Sequence, residues 1–132
     1  MLIDAPFNSI TGQIIDAAIE VHRTFGPGLL ESAYIECLQF ELAERDLRFE
    51  RQRIIPLVYK GKPLATSYRA DLLVEDTVVV EVKSVALAMA VHEAQVITYL
   101  KLTGYPVGLL INFNVPRLID GVRRLLNPRR PT

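Results

Sequence analysis

A single cysteine, Cys37, is all the thiol chemistry the chain has, which excludes an internal disulfide and any cysteine cluster for zinc. It falls inside a helical pattern and reads as a small core residue. Long apolar runs are missing too: none approaches the roughly 20 residues that a membrane span needs. At Met1-Leu-Ile-Asp4 an acid stands where a secretory signal carries basic residues, so a cytoplasmic location is expected. Nor is there an excess of charge, since fifteen basic and fifteen acidic residues cancel. The chain lacks the global positive charge of sequence-independent nucleic-acid binders, and any grip on phosphate must be local. Basic residues gather at Arg48, Arg51 and Arg53 and again at Arg123, Arg124, Arg129 and Arg130. Short runs of this kind are more often solvated faces than phosphate contacts. Internal repeats, low-complexity tracts and linkers are absent as well.

What is present is an apolar half of a 132-residue chain, enough for one packed core and one domain over residues 1–132, with a frayed tail from about Asn127. Ile10, Ile14, Ala17, Ala18, Val21 and Phe25 recur at helical spacing, with Asn8 or Ser9 as N-cap and Gly26-Pro27-Gly28 as the stop. A second helix is expected from about Leu29 to Arg45, burying Leu30, Ala33, Tyr34, Cys37, Leu38 and Leu42. The pattern then changes to strands: Ile54 to Tyr59, a turn at Lys60-Gly61-Lys62-Pro63, and two β-branched runs either side of Glu75-Asp76. Helical spacing returns from about Val85 to Thr103, with Ser84 as N-cap. Val107 to Phe113 reads as a strand covered on both faces, and Gly121 to Leu126 as an edge strand or short helix. The order predicts an α/β (α+β) fold, a mixed central sheet of about four to five strands flanked by helices.

The hairpin Tyr68 to Lys83 carries ionisable groups inside strands, which is costly unless they pair or bind something. Alternation puts Val78, Val80 and Val82 on one face of the second strand and Val79, Glu81 and Lys83 on the other. A two-residue turn at Glu75-Asp76 would set Ala70 opposite Glu81 and throw Asp71 to the wrong face. A shared site therefore requires a three-residue connection or a bulge. With that register, Asp71 and Glu81 stand side by side with the Lys83 ammonium beside them, a donor set suited to Mg²⁺. The bland reading is an ion pair on a solvated strand. His92, Gln95 and Tyr99 form one stripe on the third helix, able to hydrogen-bond or stack near the hairpin, or simply a wetted helix face. Glu31 falls in the first turns of the second helix, where the helix dipole is a sufficient reason for an acid, and it could equally project a third carboxylate toward the site.

Gly28-x-x-Glu31-x-x-Tyr34, the Asp71 strand, Glu81-Val82-Lys83, Gln95-x-x-x-Tyr99-Leu100 and Gly108-Leu-Leu-Ile-Asn112-Phe113 together resemble the GxxExxY family within the PD-(D/E)xK nuclease-like superfamily. The resemblance runs from about Ile10 to Leu126. It implies a restriction-endonuclease-like core in which Asp71 and Glu81 are the metal-binding acids, Lys83 the catalytic lysine and Glu31 an acid from an early helix. Gln95 and Tyr99 match the glutamine and tyrosine that follow the core in RecB-like nucleases. The proline that names the first motif is absent, since Arg69-Ala70 precede Asp71. The implied activity is Mg²⁺-dependent phosphodiester hydrolysis, with Mn²⁺ as a substitute and DNA rather than RNA as the nucleic-acid partner. The alternative is a catalytically silent nucleic-acid-binding or protein-interaction module on the same fold. With no global positive charge, a homodimer or a partner protein would help hold the nucleic acid, and no membrane is involved.

Overall fold

The structure is a computed structural model and describes residues 7–88 and 90–129. Asp4, Met89 and Arg130 to Thr132, which include part of the expected tail, lie outside the described residues. Two helices, α1 (Asn8–Phe25) and α2 (Glu31–Glu44), precede a long hairpin of β1 (Phe49–Tyr59) and β2 (Lys62–Val74). There follow β3 (Val78–Lys83), α3 (Ala90–Thr103), β4 (Val107–Asn112), a 3₁₀ turn at Leu118–Gly121, and β5 (Val122–Leu126). The strands form one mixed sheet in the order β1-β2-β3-β4-β5, with β3 and β4 parallel and the other neighbours antiparallel. Among the described residues no helix is long and apolar enough to cross a membrane.

The alternation expected for β3 is what the packing shows. Val78, Val80 and Val82, with Leu72, Val74, Leu109 and Ile111, face the helices α1 and α2, whose Ile14, Ala17, Ala18, Tyr34 and Leu38 complete the main core. The opposite face buries Ile55, Ala70, Leu73 and Val79 under Tyr99 and Leu100 of α3. Gly108 sets the closeness of that helix: a Cβ there would lie 2.5 Å from Val96 Cγ1. β4 is buried at every position, as a central strand covered on both faces should be.

Several local expectations are corrected. The N-cap of α1 is Phe7, without a side-chain cap bond, and Asn8 and Ser9 are already helical. Phe25 and Leu30 are exposed, because α1 ends and α2 has not begun where they stand. Ser84 caps no helix, and α3 starts later than Val85. Asn112, buried in β4, accepts the Val85 N–H (3.1 Å) and donates to the Val85 carbonyl (3.1 Å), so the residues just after Lys83 are held in a loop outside any helix. The chain is anchored at Asn127, which is buried and donates through Nδ2 to the carbonyls of Leu100 (2.7 Å) and Tyr105 (3.0 Å).

Candidate active site

The β2–β3 connection has three residues, Glu75, Asp76 and Thr77, so Val74 pairs with Val78, Leu73 with Val79 and Leu72 with Val80. Glu75 and Asp76 take positive φ (52° and 51°), and the turn closes by Thr77 N–H donating to the Val74 carbonyl (3.0 Å). This is the register that sets Asp71 against Glu81. Beyond the third backbone pair the strands are stitched by these two side chains. The Asp71 N–H donates to Glu81 Oε1 (2.9 Å), and the Val82 N–H donates to Asp71 Oδ2 (2.8 Å).

Asp71 also sits where the hairpin turns over. Residues 70 and 73 should face opposite ways, yet Ala70 and Leu73 share the α3 core; residues 49 and 55 should face the same way, yet Phe49 and Ile55 lie in different cores. Both strands therefore rotate on one rung, where Asp71 faces Gln52 by register and Gln52 takes φ 49°. A glutamine in that region is sparsely populated backbone, held in place by its surroundings.

Lys83 Nζ lies 3.7 Å from Glu81 Oε2. That is an ion pair but too long for a hydrogen bond, so the lysine does not by itself settle the carboxylates. Burial, with the nearby Asp71 charge second, pushes the Glu81 carboxyl up to about 7. Burial also raises Asp71, against the Val82 N–H and Lys83, which lower it, while the Glu31 charge raises both acids. Three carboxylates thus share one neighbourhood with one ammonium, a deficit of positive charge that a divalent cation would fill.

Glu31 reaches this neighbourhood because the start of α2 is latched to the end of β3. Glu31 Oε2 accepts the Ser84 N–H (3.2 Å) and Ser84 Oγ donates to the Leu29 carbonyl (2.9 Å). Three residues on, the Tyr34 hydroxyl donates to the Gly26 carbonyl (2.5 Å) and accepts the Leu29 N–H (3.1 Å), while its ring stacks on Phe113 at 4.3 Å. Gly28 has φ 116°, open only to glycine at little cost. The Gly28, Glu31 and Tyr34 spacing is therefore a structural device that aims one carboxylate.

On the other side Tyr99 is buried and its hydroxyl accepts from Gln95 Nε2 (2.8 Å). Burial, then the Glu81 charge, raises its phenol to about 12, so the hydroxyl keeps its proton. The ring lies 5.8 Å from Tyr68 of β2. His92 is half-buried near the start of α3. Among the described residues no three His, Cys, Asp or Glu side chains are grouped to hold an ion, so neither His92 nor Glu31 completes a three-ligand set. Two carboxylates still fit Mg²⁺, which commonly takes one or two and keeps its other positions for water and phosphate. Ser84, expected as a helix N-cap, Asn112, quoted only within a motif, and Gln52 are supporting residues to which sequence reasoning assigned no role at the site. Asn112 left a signal as a polar residue in an apolar run.

The family model for the PD-(D/E)XK nuclease superfamily matches residues 8–125. No curated protein matches the chain. A solved structure, "Crystal structure of SSO0001", aligns with 93% of this chain and 79% of its own at 16% identity, with a TM-score of 0.42. The mixed five-stranded sheet with flanking helices agrees with the restriction-endonuclease-like core of that superfamily.

Proposed function

Because the chain belongs to the PD-(D/E)XK nuclease superfamily, we propose that it is a Mg²⁺-dependent nuclease that hydrolyses phosphodiester bonds in DNA. The reading is carried by one observation: Asp71 and Glu81 stand on adjacent strands, each bound to the other's strand, with too little positive charge around them. Asp71 and Glu81 are the residues that would hold the cation. A divalent ion there supplies Lewis acidity toward a phosphodiester oxygen and toward the attacking water. Mn²⁺ substitutes for Mg²⁺.

Lys83 then orients the water or offsets the negative charge that develops on the phosphate. Its exposure is slight, so the charge acts in a medium where it counts for more than in bulk water. Glu31 aligns the β3 end through Ser84 and adds to the negative field that draws in the cation. Tyr99, protonated and accepting from Gln95, retains a hydroxyl proton to donate toward the carboxylates or a phosphate oxygen. His92 stands on the same helix as a supporting contact to the substrate. Gly28, Glu31 and Tyr34 support placing the chain in the GxxExxY group of the superfamily.

The test is incubation with duplex DNA, with and without Mg²⁺ and with excess chelator. Cleavage that requires the metal and falls at least a hundredfold in Lys83→Ala is expected. DNA left intact by the wild type with either Mg²⁺ or Mn²⁺ would favour the silent binding module instead.

A further inference from the structure

Residues 51–70 contain Arg51, Arg53, Lys60, Lys62 and Arg69 and no aspartate or glutamate. The neutrality of the whole chain conceals this segregation. The segment is the distal part of the β1–β2 hairpin, and it leaves the sheet: β2 pairs with β3 only at residues 72–74, while its ladder with β1 runs out to Tyr59 and Lys62. What projects is a two-stranded ribbon closed at Lys60-Gly61, with residues 58–69 all exposed. At about 3.3 Å per residue it reaches roughly 30 Å from Asp71 to Lys62.

The cations are poorly neutralised. Arg53 pairs with Glu50 at 2.7 Å, but among the described residues Arg51, Lys60, Lys62 and Arg69 have no carboxylate within 4.0 Å. At its root the ribbon meets the carboxylate site, since Arg51, Gln52 and Asp71 line one cleft of ≈ 180 Å³ against Ser32, Ile35 and Glu36 of α2. The twist at Gln52 and Asp71 therefore also sets the direction in which the ribbon leaves the site.

We propose that this ribbon is the arm that grips the phosphate backbones of duplex DNA and leads it to Asp71 and Glu81. The substrate class rests on the nuclease reading above; the grip does not require cleavage. Arg51, Lys60, Lys62 and Arg69 all stand at exposed positions, and the pair at the tip, Lys60 and Lys62, stands farthest from the sheet. The major groove, about 12 Å wide, admits a two-stranded ribbon, and exposed cations along the arm and at its tip suit the phosphates that border it.

The experiment is fluorescence anisotropy of a labelled duplex oligonucleotide, in chelator so that nothing is cut, over a range of salt. The triple variant Lys60→Ser, Lys62→Ser, Arg69→Ser is compared with wild type and with Lys60→Arg, Lys62→Arg. The triple variant should raise Kd at least tenfold and lower the salt slope by about 3, at roughly 0.9 per lost phosphate contact, while the Arg pair binds as wild type. All three substitutions are at exposed positions, and an unchanged melting temperature checks the fold. If the wild type binds through the arm but cuts nothing with Mg²⁺, the nuclease reading fails and the arm stands. If the triple variant binds and cuts like wild type, the arm is overturned and the nuclease reading stands. Binding to anionic lipid vesicles without binding to the duplex also overturns the arm.

Discussion

Asp71 and Glu81 are tied reciprocally: the Asp71 N–H ends on the Glu81 carboxylate, and the Asp71 carboxylate receives the N–H of the residue after Glu81. Each acid is thereby fixed by one oxygen and left with the other. The arrangement orders two like charges side by side, which the fold tolerates at a cost in stability.

That cost has a pH signature. The Glu81 carboxyl titrates at about 7 in the folded chain against 4.5 in the open chain. Between those values the folded state keeps a proton that the unfolded state has released, so stability falls as pH rises from about 4.5 to 7. In chelator, thermal melting should decline across that window, by the equivalent of about 3 kcal/mol. Glu81→Gln, whose amide oxygen can still accept the Asp71 N–H, should melt higher than wild type at pH 8 and much the same at pH 4.5. A wild-type melting temperature that rises from pH 5 to 8 would contradict the assignment.

Asp71→Asn keeps an acceptor for the Val82 N–H but removes a charge. The variant should fold, with Mn²⁺ affinity by calorimetric titration reduced at least tenfold. Lys83→Ala should separate from it, losing cleavage while binding Mn²⁺ at least as well as wild type.

The Glu31 carboxylate accepts the Ser84 N–H, and its substitutions should divide accordingly. Glu31→Gln retains an acceptor for Ser84 N–H and should keep wild-type stability, whereas Glu31→Ala strands that donor at a cost of about 1 kcal/mol or more. Loss of the charge in either variant should weaken Mn²⁺ binding by a few-fold. Equal melting temperatures for the two would contradict the latch.

Tyr34→Phe removes the hydroxyl that serves both Gly26 and Leu29 while leaving the stack on Phe113. Urea denaturation should show a loss of about 1–3 kcal/mol. Gly28→Ala should also destabilise, because φ 116° is strained for any side chain. No change in either midpoint would leave the loop without the role described.

The hairpin register was legible as a condition: alternation required a three-residue connection or a bulge if Asp71 and Glu81 were to share a face, and the connection has three residues. The main-core faces of α1 and β3 were legible for the same reason. The start of α3 was not. Val85 to Leu87 read as helix locally, but Asn112, distant in sequence, captures Val85 at both its N–H and carbonyl. The beginning of β1 was hidden by Arg51, Gln52 and Arg53, polar residues in an edge strand that gains its structure from pairing with β2. The basic clusters divided once folded. Arg48 pairs with Glu75, and Arg124 lies over Phe7 and bonds Asn8, while Arg51 remains unpaired by any described carboxylate.

The most direct measurement is a crystal structure grown with millimolar Mn²⁺ and read by anomalous scattering. A peak bonded by the Asp71 and Glu81 carboxylates at about 2.1 Å, lost in Asp71→Asn, is the predicted result. An empty map between those two side chains at millimolar metal would contradict the account.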